Sequence, residues 1–306
     1  MLQNLRNLTI EARGATFSVA NGIAFSSIFH FDRDGNLTFQ GSGGAFVGNR
    51  SGLQPSQESS AITITSDVNF TFHDVTCSGN WGGISACFVG AWLVSGKIDR
   101  VTAPSVGICF DLAFMKQVTF NDFHCTGADA NGGSGVGNKA WSNIYDNPAM
   151  NDNHTGVSFS DTDGVTVTNS SANNFITGAV IHSGSSFQFS GNVWRDNPGQ
   201  NPTSPGIGIW IAAGTVGHSR TNITIAGDKF SNNGTAQRGY GVFATSATAD
   251  TISQLTLKNV IFNNNASAGI DSDTPTNVSK VFIEGNPCAG MNQPTCISSN
   301  IVPEFR

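Results

Sequence analysis

Short triplets of apolar, polar and apolar residues recur along the whole chain, separated by turns rich in Asn, Asp, Ser and Gly. Phe187-Gln188-Phe189 is one triplet, and Val165-Thr166-Val167 lies 22 residues before it. Alternation over a few residues, bounded by turn residues, is typical of a half-buried β-strand. The triplets predict strands at residues 8–10, 37–39, 70–72, 118–120, 165–167, 187–189, 223–225, 255–257 and 281–283.

Two further strands follow most triplets. Residues 260–262 form a second apolar strand after a polar turn, and residues 241–244 form a third strand led by glycine. A repeated unit of this size, with no helix between its strands, predicts an all-β, right-handed parallel β-helix of about nine to ten coils with three short strands per coil. We expect one domain over residues 1–306, with long loops at 126–153 and 196–206 and a C-terminal cap loop at 285–306.

Composition narrows the possible partners. Charged residues are only 12% of the chain and glycines number 36, which suits short strands and tight turns. The net charge is −6, with 15 basic residues. A nucleic-acid partner is therefore not expected, because phosphate binding needs a basic stripe. No run of apolar residues is long enough to predict a membrane span.

The six cysteines show no spacing typical of metal ligands. Cys288 and Cys296 lie in a Pro- and Gly-rich tail and predict a disulfide there. Cys87 and Cys109 occupy matching positions of two coils, so we expect them to be neighbours within disulfide reach. Cys77 and Cys125 occupy matching positions of the repeat but lie two coils apart, and we expect them to be buried and free. Disulfides predict an oxidising location, either secreted or virion-associated.

The rhythm of Asn-x-Thr-Ile, Asn-x-Phe-x-x-Asn and Gly-Ile resembles the pectate-lyase-like superfamily. That superfamily includes polysaccharide lyases, polygalacturonase-type hydrolases, uronan C5-epimerases and phage tailspike depolymerases. The resemblance covers nearly the full chain and implies the fold. It leaves the reaction open, because the repeats encode coils rather than chemistry.

Aligning the third strands on their leading glycines predicts an outer face. Residues one and three positions after the glycine are mostly apolar and should point inward, while those two and four positions after it should point outward. Carboxylates one or two coils apart would lie roughly 5 to 10 Å from one another, which covers the separations used in glycoside hydrolysis. The outer face should present, in coil order, Asp111, then Asp161 and Asp163, then His182, Trp210 and Phe243.

The order Asp, Asp-x-Asp, His is similar to that of the polygalacturonase-type hydrolases. This similarity implies that Asp111 and either Asp161 or Asp163 are the acid/base pair, and that His182 tunes the pair or binds substrate. Thr162 separates the two aspartates, and no Arg-x-Lys follows the histidine. The Asp-Thr-Asp-Gly segment is also a good turn sequence, so a purely structural role remains open.

Further residues are expected to bind substrate. Aromatic rings on the outer face offer a sugar an apolar surface, and residues of the long loops and the last turns could close its sides. These substrate-binding candidates are Trp210, Phe243, Arg195, Trp141, Tyr145, Asp271 and Asp273.

The leading hypothesis is a carbohydrate-active enzyme that hydrolyses a polysaccharide or oligosaccharide on the outer face without a cofactor. One alternative is a lyase or C5-epimerase, with Lys139, Tyr145 or His182 as base and the aspartates holding Ca²⁺. Another alternative is a non-catalytic glycan-binding or tailspike-like structural protein. The chain is expected to be a monomer or a homotrimer.

Overall fold

The computed structural model describes residues 1–18, 27–48, 60–79, 81–127, 155–201, 204–212, 219–234, 238–245, 250–290 and 292–306. Within these ranges nearly all regular structure is strand, and one short 3₁₀ turn lies at Pro275–Asn277. None of the described helices is long and apolar enough to cross a membrane. The chain divides into two compact units, Met1–Val157 and Ser158–Arg306, and each is described by itself. The expectation of one continuous domain stays a prediction.

Unit 1 is built from parallel strands that pair with their counterparts on the next coil. They are β1 (Leu2–Gln3), β2 (Thr9–Glu11), β3 (Thr16–Ser18), β4 (Ser27–Asp32), β5 (Gly35–Gln40), β6 (Ala45–Gly48), β7 (Ser60–Thr65), β8 (Val68–Gly79), β9 (Trp81–Ala91), β10 (Val94–Ala113) and β11 (Lys116–Gly127). β12 (Thr155–Ser160) spans the boundary between the units.

Unit 2 repeats this pattern. Its strands are β13 (Thr162–Thr168), β14 (Ser171–Asn173), β15 (Thr177–Ile181), β16 (Gly184–Ser190), β17 (Val193–Arg195), β18 (Gly199–Asn201), β19 (Ser204–Ile211), β20 (Arg220–Ala226), β21 (Lys229–Ser231), β22 (Gly239–Ala244), β23 (Ile252–Lys258), β24 (Ile261–Asn263), β25 (Ala268–Ser272), β26 (Val278–Glu284), β27 (Thr295–Ile297) and β28 (Pro303–Phe305). All the strand pairs described in this unit are parallel except the hairpin of β18 and β19.

Each unit therefore has three strand faces. The triplet strands form the first face, the short strands after the Asn-rich turn form the second, and the glycine-led strands form the third. In unit 1 the third face is β4, β7, β9 and the end of β10. In unit 2 it is β15, β19, β22, β25 and β27. We call the turn between a third-face strand and the next first-face strand the third-to-first corner. The predicted parallel β-helix fold is confirmed, while the number of coils stays a prediction.

The core explains the abundance of phenylalanine. Phe39, Phe72, Phe88 and Phe110 are fully buried. Phe72 lies 5.9 Å from Phe39 and 5.6 Å from Phe88 between ring centroids. A buried aromatic side chain contributes roughly 1.5–3 kcal/mol through removal from water. Inward positions predicted on the third strands are buried as expected, including Ile209, Ile211, Val242 and Ala244.

The Asn-rich turns are satisfied by side-chain ladders between coils. Asn197 donates through Nδ2 to Asn233 Oδ1 at 2.9 Å, and Asn233 donates in the same way to Asn265 at 2.9 Å. All three amides are buried. Each amide therefore satisfies polar groups of its neighbour, which is required for buried polar side chains.

The predicted loops have different outcomes. Most of the loop at 126–153, with Trp141, Tyr145 and Lys139, lies outside the described residues. The loop at 196–206 contains β18, which pairs antiparallel with the start of β19. The tail at 285–306 contains β27 and β28, which add parallel pairs to β25 and β26.

Three disulfides join all six cysteines: Cys77–Cys87, Cys109–Cys125 and Cys288–Cys296. The prediction for the C-terminal tail is confirmed. Cys87 and Cys109 are neighbours on adjacent coils, as the pairing of β9 with β10 shows, but they do not bond to each other. The prediction that Cys77 and Cys125 are free was wrong. Both lie on the second face. Each of these two side chains is buried and bonds to a third-face cysteine across the corner between the second and third faces.

Candidate functional site

The third face of unit 2 carries two columns of side chains in register. One column is Val180, Trp210, Phe243 and Asp271 on successive coils. The other is Thr177, Ile207, Tyr240 and Ala268. The first column has the order predicted from the leading glycines.

These columns form an apolar cluster separate from the aromatic core. Ile207, Tyr240, Phe243 and Ala268 are buried, and Trp210 packs against them while staying partly exposed. The rings of Tyr240 and Phe243 stack with centroids 4.5 Å apart. Phe243 is only 6% exposed, so its ring supports the cluster instead of offering an open face to a sugar. Trp210 is partly exposed, so its ring can offer a face to a sugar.

Hydrogen bonds and charges fix the edges of the cluster. Trp210 donates its indole N–H to Thr245 Oγ1 at 2.5 Å. Arg238 donates to the Tyr240 hydroxyl at 3.1 Å through Nη2. Desolvation raises the pKa of Asp273 above its ordinary value, although the nearby Arg238 opposes this shift. Asp271 accepts a hydrogen bond from Asn300 at 3.2 Å. The cluster is therefore bordered by groups able to bind hydroxyls.

Asp161, Asp163 and His182 lie together at the third-to-first corner of unit 2. Ser183 donates its hydroxyl to Asp161 Oδ1 at 2.7 Å and accepts the Asp161 backbone N–H at 2.7 Å. Ser185 donates to Asp163 Oδ1 at 2.6 Å. The backbone N–H of His182 donates to the carbonyl of Phe159, the residue two before Asp161, at 2.9 Å. The predicted coil order of these three residues is thus confirmed within this unit.

The first aromatic residue of the Val180 column, Trp210, lies one coil beyond His182. The backbone N–H of Ala212 donates to Ile181, so Ala212 stacks next to His182, and Thr245 follows by bonding to Ile211. Trp210 lies two residues before Ala212. Adjacent coils are about 4.8 Å apart, so Trp210 lies two coils, or about 10 Å, from Asp161. The indole and the corner that holds Asp161, called here the Asp161 corner, therefore lie within the length of a short oligosaccharide.

Sequence reasoning missed a buried arginine at the same corner. Arg220 is 0% exposed and its Nη1 lies 3.4 Å from Oδ2 of Asp250, which is 1% exposed. Its Nε and Nη2 have no hydrogen-bond partner. Burial lowers the pKa of Arg220, while the charges of Asp250 and Asp161 oppose that shift. Arg220 stands in register with Gly184 and Ile252, so an alignment of the first-face strands would have revealed a charge in an otherwise uncharged column.

The remaining candidates lie elsewhere. Asp111 is exposed on the third face of unit 1, in register with Val89. Arg195 is an exposed second-face residue that pairs with Asp196 at 2.9 Å. Trp141 and Tyr145 lie outside the described residues. In the described part of the chain, no group of three or more His, Cys, Asp or Glu residues is arranged to hold a metal ion. A role for Ca²⁺ stays a prediction of the lyase alternative.

No protein-family model matches the chain, and no curated protein matches it. Solved structures do share its fold. A DFA-IIIase from Arthrobacter chlorophenolicus A6 in complex with GF2 matches with a TM-score of 0.55 at 10% identity, over 92% of this chain and 71% of that chain. The fold is the right-handed parallel β-helix.

Two further structures agree on that fold. A polygalacturonase from Erwinia carotovora matches with a TM-score of 0.52 at 10% identity, over 99% of this chain and 82% of that chain. A tailspike protein mutant of E. coli bacteriophage HK620 in complex with a hexasaccharide matches with a TM-score of 0.52 at 11% identity. That match covers 97% of this chain and 57% of the tailspike. At such identities the likeness concerns architecture, and chemistry must be argued from the site.

Proposed function

We propose that the protein is carbohydrate-active, and that it binds a polysaccharide or oligosaccharide on the third face of unit 2 and hydrolyses it at the Asp161 corner. The observation that carries this proposal is the partly exposed indole of Trp210, one coil from His182 and two coils from Asp161. An indole offers a flat apolar surface to the C–H face of a sugar. The adjoining carboxylates and hydroxyls supply partners for the sugar's polar edge.

The comparisons support saccharide as the ligand class. The tailspike structure holds a hexasaccharide on the same fold, and the DFA-IIIase structure holds GF2. Three disulfides fit an oxidising, extracellular location, where such ligands occur. We therefore propose a secreted or virion-associated protein.

Roles follow from the local geometry. Ser183 and Ser185 each hold one carboxylate by its Oδ1 atom, which orients Asp161 and Asp163. We assign these two aspartates as the acid/base pair, since glycoside hydrolysis uses two carboxylates flanking the scissile bond. His182 is assigned to a substrate hydroxyl. The role predicted from the sequence for Asp111, which is exposed on the third face of unit 1, stays a prediction.

The test is an activity screen on neutral and acidic polysaccharides, with new reducing ends and near-ultraviolet absorbance read together, with and without chelator. Asp161→Asn and Asp163→Asn should each lower the rate about 100-fold or more, because an amide cannot transfer a proton. Asp122→Asn is the matched control, since its side chain is 44% exposed and lies in the other unit. Full activity in both site variants would reject this assignment. Absorbance that disappears with chelator would instead identify a lyase.

A second candidate function is glycan binding without cleavage. Both site carboxylates accept serine hydroxyls from the next coil. An aspartate that stabilises a turn makes such bonds without any chemistry. In that case Trp210→Ala would abolish glycan retention, while Asp161→Asn would leave it unchanged and no reducing ends would form.

A further inference from the structure

Two large aromatic rings are exposed at the third-to-first corner of unit 1. Trp92 is 59% exposed and Phe114 is 45% exposed. Their rings stack with centroids 5.3 Å apart and an interplanar angle of 4°. They lie on adjacent coils, because the backbone N–H of Trp92 donates to Ala113, the residue before Phe114. Core packing does not account for this pair.

The backbone at both positions is strained. Trp92 has φ 58° and Phe114 has φ 52°, in the left-handed region. Among the described non-glycine residues with positive φ, all the others have polar side chains, mostly Asn, Asp or Ser. An ordinary L residue in this region costs about 1–2 kcal/mol. Residues held in such conformations cluster at functional sites, so the exception needs a reason other than stability.

The indole of Trp92 borders a small residue on the preceding coil. Ser66 precedes it in the same corner column, and Arg33 precedes Ser66, as shown by backbone hydrogen bonds from Ser66 to Ala91 and from Arg33 to Thr65. Arg33 and Trp92 are therefore two coils apart, about 10 Å by strand spacing. Ser66 between them is small. Among the described residues of this corner column, the small Ser66 leaves room for one flat ring to lie against the indole.

Polar groups line the other side of this slot. Thr65 donates its hydroxyl to Asp32 Oδ1 at 3.1 Å, and Arg33 Nε lies 3.6 Å from Asp32 Oδ2. The side chain of Arg33 is 62% exposed. One wall is thus an aromatic face and the other carries donors and acceptors. A sugar ring has the matching surfaces, since its C–H face suits an aromatic ring and its hydroxyls suit the polar wall.

We infer that Trp92, supported by Phe114, is a glycan-binding subsite on unit 1 that stacks one sugar ring over Ser66. The ligand class rests on the proposed function. The residues of this subsite are different from those of the unit 2 site, so the inference and the proposed function can each be rejected separately.

The experiment is native electrophoresis of the full chain in gels containing dextran, inulin, xylan or polygalacturonate. Trp92→Asn is the informative variant, because Asn tolerates the left-handed backbone. It should raise the apparent Kd for the retarding polysaccharide about tenfold or more, as loss of a central aromatic contact does, without lowering Tm. Phe114→Asn should weaken retardation less. Phe305→Ala is the control, as it removes another ring that is 68% exposed.

The outcomes are distinct. This inference would be overturned, and the proposed function would stand, if Trp92→Asn is retarded as strongly as wild type while Trp210→Ala is not retarded. The reverse pattern would support the inference and reject the unit 2 placement. No retardation of wild type by any of the four polysaccharides would overturn both. A change of oligomeric state in Trp92→Asn with unchanged retardation would make the pair a protein contact and overturn the inference.

Discussion

Asp67 is a buried carboxyl whose ionisation should control the stability of unit 1. It lies at the third-to-first corner and is 0% exposed. Its Oδ1 accepts the backbone N–H of Asp34 at 2.7 Å, while its Oδ2 has no hydrogen-bond partner. Burial raises the pKa of Asp67 to about 7, with further contributions from the charges of Asp34 and Asp32, although the backbone hydrogen bond opposes the shift.

The sign of the effect follows from proton linkage. The ordinary pKa of this carboxyl is 3.8, so the folded state binds its proton more tightly than the unfolded chain does. Its contribution to stability is therefore fully present below about pH 4 and is lost as the pH rises to about 7. Each pH unit between the two pKa values corresponds to about 1.4 kcal/mol, so the loss is at most about 4 kcal/mol.

Asp67→Asn should remove this loss. The amide keeps an Oδ1 acceptor for the Asp34 N–H and carries no charge. We expect the variant to exceed wild type in free energy of unfolding by up to about 4 kcal/mol at pH 8 and to equal it near pH 4. Urea unfolding at several pH values between 4 and 8.5 measures the difference. Asp122→Asn, at a partly exposed position, is the control and should change stability little at any pH.

The reasoning fails if the difference between the Asp67→Asn variant and the wild-type protein is constant across the pH range, or if the variant is less stable at pH 8. A companion variant refines the test. In unit 2, Asn192 donates through Nδ2 to both oxygens of Asp228 at 3.2 Å, from the preceding coil. Asp34→Asn copies that pair, so it should stabilise ionised Asp67 at pH 8 but retain part of the pH dependence.

Three further predictions concern stability, each measured by urea unfolding against wild type. Asp228→Ala should cost about 2–4 kcal/mol, because it removes the acceptor of the buried Trp194 indole N–H at 2.8 Å; an unchanged free energy would contradict this. Gly96→Ala should cost about 1–3 kcal/mol by overpacking, because a Cβ there would overlap the buried Phe70 ring, and a smaller effect of Gly96→Ala in a Phe70→Leu background would confirm the cause. Replacing Cys109 and Cys125 together by serine should cost about 2–4 kcal/mol, and full reduction of wild type, which breaks all three disulfides, should lower the free energy of unfolding at least as much.

Much of the fold was predictable because its signals are local. Alternation within three residues predicts a strand, and its inward and outward sides follow from the pleat. The glycine-led alignment placed Trp210 beside Phe243 in register, as the pairing of β19 with β22 confirms. The same alignment placed Asp161 and His182 on adjacent coils.

The errors arose where a prediction needed distances across the coil. Cys87 and Cys109 were correctly placed as neighbours along the third face, yet each bonds to a second-face cysteine instead. Phe243 occupies an outward position, but Tyr240 covers it. Spacing along one face does not report how closely another face or a neighbouring column approaches.

The sequence by itself therefore determined the strands, their three faces and the coil order of Asp161, Asp163 and His182, because strand periodicity and coil repetition are written in neighbouring residues. Only the tertiary structure decided the disulfide pairing, the burial of Arg220 against Asp250 and the exposed stack of Trp92 on Phe114. Those features depend on which residues, distant in sequence, pack together at a corner and on which side chains remain open to water.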